Sequence, residues 1–149
     1  MTARKGNSMN FRKAKEKDAV VLNSFMEDLV HAKGNLEKLK EKIKRIYNME
    51  QYYLCLAYEG EEVLGTAMGI LCEDICEECE RFLVIENVYV KEEWRGKGVA
   101  EAIFSELERW SKEHSCYYSM LVSGNNRKRA HAFYEKAGYE KMGGFRKMY

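Results

Sequence analysis

The sequence is most constrained where an apolar run, Phe82–Val90, meets two closely spaced glycines and then an amphipathic pattern. The run reads as a strand, apolar nearly throughout and therefore central in a sheet. Glu86 and Asn87 are its polar exceptions. Val99, Ile103, Leu107 and Trp110 recur at helical spacing after Gly96 and Gly98. Strand, loop, helix is the expected order. Glycines in such a loop let backbone N–H groups crowd round a ligand, because no Cβ blocks approach. The following helix aims its free N–H groups and positive dipole end at the same place. The stretch therefore reads as an anion site built from backbone. Its spacing is neither that of a Rossmann fingerprint nor that of a Walker loop.

The rest of the chain supplies elements to either side. Asn10–Lys13 is a short edge strand. Asp18 is the expected N-cap of a helix carrying Leu22, Phe25, Met26 and Leu29 on one face, with Gly34 ending it. Asn35 caps the next helix, whose buried side holds Leu36, Leu39, Ile43 and Ile46. Tyr52–Tyr58 and Val63–Leu71 form a hairpin across Glu59-Gly60-Glu61. Gly65 and Gly69 inside its second strand mark a bulge or a close approach. Cys116–Val122 is a further strand, and Ala130, Phe133, Tyr134 and Ala137 give a short helix that Gly138 ends. Tyr139–Met142 and Phe145–Tyr149 read as a last small hairpin. The order β-α-α-β-β-β-α-β-α-β-β implies an α/β (α+β) fold: a mixed, mostly antiparallel sheet with helices on both faces.

At 149 residues, 46% apolar and 33% charged, one soluble domain over 9–149 is expected, with Met1–Ser8 a disordered leader. No apolar run approaches a membrane span or a secretory core. Five cysteines with no secretory signal point to reduced thiols and a cytoplasmic home. Cys72, Cys76 and Cys79 are loosely spaced with no fourth ligand nearby, so no metal is expected. The net charge of +1 hides a pattern. Residues 1–50 are net +5, residues 59–93 net −9 and residues 94–149 net +5. The basic C-terminal part suits a polyanion and the acidic middle a cation. Nucleic acid is not indicated, because the basic residues are not interleaved with aromatics in a recognisable module.

Three segments together resemble the GNAT superfamily of acetyl-CoA-dependent N-acetyltransferases. Arg95-Gly96-Lys97-Gly98-Val99-Ala100 fits that family's Arg/Gln-x-x-Gly-x-Gly/Ala loop. Glu86-Asn87-Val88-Tyr89-Val90 stands where the family has its acetyl-CoA-contacting strand. Ala130–Tyr139 fits its Ala-x-x-Phe/Leu-Tyr-x-x-x-Gly-Phe/Tyr segment. The similarity covers residues 9 to 149.

The resemblance implies roles. Gly96 to Ala100 would hold the coenzyme A pyrophosphate through N–H groups, with Arg95 and Lys97 adding charge. The backbone of Val88, Tyr89 and Val90 would pair with the pantetheine arm like an added strand. One N–H at Val88 or Tyr89 would meet the thioester oxygen. The sheet would splay after Val88–Val90, letting coenzyme A in between the fourth and fifth strands. Tyr134 would be the general acid for the departing thiolate. Glu86 is the candidate base, since a carboxylate in an apolar strand is costly without a task. The family often has Asn seven residues before the tyrosine. Here Arg127 holds that position and Asn126 precedes it, so either would contact coenzyme A. Ser123 and Asn125 also crowd this segment.

The expected activity is direct acetyl transfer from acetyl-CoA to a primary amine, small-molecule or peptidyl, in a ternary complex. The acidic loop Glu73–Glu80 suggests a cationic acceptor. A homodimer is the state that the resemblance makes common. The competing reading is a coenzyme-A-binding regulator without turnover.

Overall fold

The computed structural model describes residues 8–149 and places five strands and four helices in the expected order up to α4. Most of the expected leader, residues 1–7, lies outside the described residues. The strands are β1 (Asn10–Lys13), β2 (Tyr52–Glu59), β3 (Glu62–Cys72), β4 (Arg81–Val90) and β5 (Cys116–Leu121). Helices α1 (Ala19–Val30), α2 (Leu36–Tyr47), α3 (Val99–Glu113) and α4 (Lys128–Lys136) complete the fold. One sheet runs β1-β2-β3-β4-β5, antiparallel except for the parallel β4–β5 pair that α3 connects. Among the described residues no helix is long and apolar enough to cross a membrane.

Two apolar layers sandwich the sheet. On one face Tyr53, Ala67, Leu83 and Ile85 pack under Ile103, Leu107 and Trp110 of α3. On the other, Leu22 and Phe25 of α1 and Ile43 of α2 pack on Leu56 and Tyr89. The close approach expected in β3 is real. A Cβ on Gly69 would lie 3.1 Å from Leu107 and 3.2 Å from Trp110, so α3 would have to give way by a few tenths of an ångström to admit one.

Strand β4 changes face part-way. Met68 of β3 faces Glu86, but Thr66 faces Tyr89, so β4 carries one extra residue at Asn87–Val88. This is a β-bulge, with Asn87 in the left-handed region at φ +55°. Before it, Leu83 and Ile85 point to α3. After it, Tyr89 points to α1, stacks on Phe25 at 4.7 Å and donates its hydroxyl to Asp28 Oδ2 at 2.6 Å.

Three local expectations change. Asp18 does not cap α1 with its side chain. It accepts from Arg12 Nη1 and Nη2 at 2.7 and 2.8 Å and from the Lys15 N–H at 2.7 Å. Helix α1 stops at Val30, with His31 left-handed at φ +53°, before Gly34 is reached. Finally, residues 139–149 form no strand. Tyr139 packs on Phe104, but Met142, Phe145 and Tyr149 beyond it are exposed. A two-stranded hairpin that buries no apolar face has little to hold it.

Burial alone would raise the Asp18 carboxyl. The Arg12 and Lys15 donors outweigh it and hold the group below its ordinary value. A depressed carboxyl contributes stability that is complete above the unfolded pKa of about 3.9 and is lost as pH falls through the folded value. Asp18→Asn is therefore expected to cost about 1–3 kcal/mol in urea denaturation at pH 7. The gap from the parent protein should close below about pH 4.

Candidate active site

The loop between β4 and α3 is shaped by its glycines. A single 3₁₀ turn, Glu92–Trp94, reverses the chain, and Gly96 and Gly98 follow at φ +72° and +83°. Ala102 is the first amide of α3 to bond back, to Gly98 O at 3.1 Å. The amides before it in the first turn are left without an intrahelical acceptor, at the positive end of the helix dipole. A Cβ built on Gly96 or Gly98 would meet nothing within 4 Å, so the space before these donors is open. Val99 is fully buried and anchors the helix, Ala100 is half-buried, and Lys97 lies 5.2 Å above the Trp94 ring.

Arg95 does not add its charge to this loop. Its Nε donates to Val90 O at 2.9 Å, its Nη2 lies 3.5 Å from Asp28 Oδ2, and its guanidinium stands 5.4 Å over the Tyr89 ring. It ties the loop to β4 and α1.

The sheet opens earlier than expected. Pairing of β4 with β5 ends at Ile85 opposite Leu121, so the splay precedes Val88–Val90 rather than following it. From Glu86 onward β4 has no paired strand on that side among the described residues. The Lys91 N–H bonds across to Leu64 O at 2.9 Å, towards β3. Peptide groups alternate along a strand. Val88 therefore presents its N–H and C=O to the open edge and Val90 its N–H, the Val90 C=O being held by Arg95, and Tyr89 turns its own to β3. The bulge thus divides the three: Val88 and Val90 side chains join the α3 layer, and the Tyr89 ring joins the α1 layer.

Beyond β5, Ser123 Oγ is buried and has no hydrogen-bond partner among the described residues. Such an atom fits a ligand group that enters the gap. Asn126 lies in the turn that leads into α4, closed by the Arg127 N–H to Gly124 O at 3.0 Å. Arg127 is the N-cap residue of α4, and both side chains are exposed.

Tyr134 is half-buried on α4, with its ring 5.8 Å from Phe104 and 6.3 Å from Tyr139. It packs on the same layer as Val88, Val90 and Leu121, which border the gap. Its hydroxyl makes no hydrogen bond to the described residues. Burial pushes the phenol above its ordinary value, and the Arg127 charge draws it part of the way back. Gly138 closes α4: the Tyr139 N–H reaches Tyr134 O at 2.9 Å, a Schellman ending that fixes the last turn. Glu86 is exposed, so the burial argument for its special status fails. Its position still matters. Alternation places it on the α1–α2 face, opposite the α3 face where Tyr134 lies. The two side chains lie on opposite faces of the sheet.

Residues 21–139 match the acetyltransferase (GNAT) family. The chain belongs to the GNAT acetyltransferase family. No curated protein sequence matches it. Among solved structures, a transcriptional regulator from Bacillus halodurans C-125 is similar with TM-score 0.88 and 21% identity, covering 95% of this chain and 99% of that one. Glucosamine-6-phosphate N-acetyltransferase from Arabidopsis thaliana is similar with TM-score 0.77 and 21% identity, covering 95% and 98%. Aminoglycoside N-acetyltransferase AAC(6')-Iy in complex with CoA is similar with TM-score 0.83 and 14% identity, covering 99% and 97%. At these identities the likeness is one of fold.

As a GNAT acetyltransferase the chain departs from its sequence reading in one more respect. The acidic loop Glu73–Glu80 precedes Arg81, where β4 begins. From there to Asn87 is about 20 Å of strand. The loop stands at the far end of β4 from the bulge, and its charge gives no reason to expect a cationic acceptor. Cys72 is half-buried and Cys76 and Cys79 are exposed, all three as free thiols. Sequence reasoning passed over Asn87 and Asp28. The signal for Asn87 was available, since asparagine is among the few residues that readily adopt a left-handed conformation. Asp28 carried none.

Proposed function

We propose that this GNAT protein transfers an acetyl group from acetyl-CoA to a primary amine, with both bound at once, in the cytoplasm, in a single domain formed by residues 9–149. One observation supports the reading: β4 parts from β5 after Ile85, on a strand that leads through the glycine loop to the unpaired amides of α3, and Tyr134 packs on the same apolar layer as Val88, Val90 and Leu121. Acetyl-CoA, when bound, supplies an acyl group on a thiolate whose conjugate acid has pKa about 8.5, a fair leaving group.

The chain's residues divide the work. Gly96 to Ala100 hold the pyrophosphate by backbone N–H groups, with Lys97 at the rim. Arg95 keeps that loop in register with Val90. Val88 and Val90 offer the open edge of β4 to the pantetheine arm, and the Val88 N–H donates to the thioester oxygen as charge develops there. Ser123 and either Asn126 or Arg127 complete the far wall. An amine of pKa near 10.4 must lose a proton before it attacks. Glu86 takes that proton through water from the α1–α2 side, and Tyr134 keeps a proton at Oη for the sulfur.

Thiol release from acetyl-CoA on a panel of primary amines tests the proposal. Release on at least one amine supports it. Binding of acetyl-CoA with no release on any amine favours a regulator without turnover. In the active case, Glu86→Gln is expected to remove the acidic limb of the pH–rate profile. Survival of that limb excludes Glu86 as the base.

A further inference from the structure

A cavity of about 240 Å³ lies between α1, α2 and the sheet, and it reaches the bulge. Asn87 of the bulge lines it, and so does Met68, which faces Glu86 across β3–β4. Its walls are mostly apolar, with Met26 of α1, Leu39 and Ile46 of α2, and Leu54 of β2, and Tyr52 and Thr66 add hydroxyls. Lys42 and Arg45 of α2, both exposed, also line it. Neither is in an ion pair among the described residues. No acidic side chain lines the cavity.

These features select among amines. The volume is below the ~300–1,000 Å³ that takes drug-sized ligands, so the occupant is small. An apolar body gains by entering, because the walls offer it dispersion contacts and release from water. A second ammonium at the far end of such a body would meet Lys42 and Arg45 with no carboxylate to offset them. A carboxylate or phosphate there would instead receive charge-assisted hydrogen bonds from both.

We propose that the acceptor is a small amphipathic amine with an anionic end. Its apolar body fills this cavity, its carboxylate or phosphate meets Lys42 and Arg45, and its amine is delivered to the bulge beside Glu86. The inference rests on the acetyl-transfer reading above and replaces the cationic acceptor that the acidic loop suggested.

Four probes of matched length test it: aminohexanoate, aminohexyl phosphate, hexylamine and diaminohexane. Two readouts are taken on the full chain, kcat/KM by thiol release and the methyl resonances of Met26 and Met68 by NMR. The expected result is that one of the anionic amines shifts both methyls and is acetylated about tenfold better than hexylamine, with diaminohexane the poorest. Whichever of the two anionic probes leads identifies the group, carboxylate or phosphate. Lys42→Glu combined with Arg45→Glu should invert the order in favour of diaminohexane. A parent protein that prefers diaminohexane, or a double variant that keeps the parent's order, overturns the proposal. Thiol release with neither methyl moving overturns the cavity assignment and leaves acetyl transfer standing. Methyl shifts by the anionic amines with no thiol release support the cavity assignment and count against acetyl transfer.

Discussion

Gly98→Asp is expected to raise the dissociation constant for acetyl-CoA by about 100-fold or more while the chain stays folded. Two effects add. Gly98 sits at φ +83°, a left-handed conformation that costs an L-residue roughly 1–2 kcal/mol, so the loop of the free variant relaxes away from it and binding must restore it. The new side chain also enters the open space before the free amides of α3, where the pyrophosphate would lie. A carboxylate there sets like charge against like, a penalty of several kcal/mol. A total near 2.7 kcal/mol already corresponds to 100-fold. Gly98→Ala brings the backbone strain without the charge and should cost about tenfold. Calorimetric titration with acetyl-CoA, alongside circular dichroism for the fold, measures both. An aspartate variant that binds within threefold of the parent would show that this loop is not the coenzyme site.

Tyr134→Phe should lower kcat about 100-fold and leave the KM for acetyl-CoA nearly unchanged. The substitution keeps the ring against Phe104 and Tyr139 and removes only the hydroxyl, which makes no hydrogen bond to the described residues. Stability is therefore expected to move little, and the loss would be one of turnover. The pH dependence gives a second signature. Burial raises the phenol above its ordinary value, so the protonated donor persists to higher pH than a solvent-exposed tyrosine would allow. Activity that needs this proton is retained through neutral and mildly alkaline pH and falls only as pH rises through the elevated value. In Tyr134→Phe that alkaline limb should vanish. Unchanged turnover would remove Tyr134 from the mechanism.

The parts of this fold that were legible in the sequence are those set by local periodicity. Leu22, Phe25 and Ile43 lie buried at their helical spacing, and Asn35 caps α2 by accepting from the Lys38 N–H at 3.0 Å. The strand, glycine loop and helix from Arg81 to Glu113 follow as expected, because apolar runs and paired glycines act through the backbone nearby. What was misread depends on partners distant in sequence. Asp18 looked like a cap, but Arg12 on β1 claims its carboxylate. Arg95 looked like a phosphate ligand, but a long flexible side chain goes to whichever acceptor is near, here Val90 O. Glu86 looked costly because its strand is apolar. It is exposed because the helices leave the α1–α2 face open at its position, which no residue of β4 announces. Tyr139–Tyr149 had the residue types of a hairpin and lacked a surface to bury against.

The bulge at Asn87 also limits how this chain can vary in length. It works as a parity switch: residues on either side of it count odd and even differently with respect to the two apolar layers. Deleting one residue there would send the Tyr89 ring towards α3 and turn Val88 and Val90 towards α1, breaking the Phe25 stack and the Asp28 bond together. A second single-residue change further along β4 would restore the count but move the glycine loop relative to the open edge. Single insertions and deletions should therefore be tolerated in Glu73–Glu80 and not between Ile85 and Gly98, although both stretches adjoin the same strand.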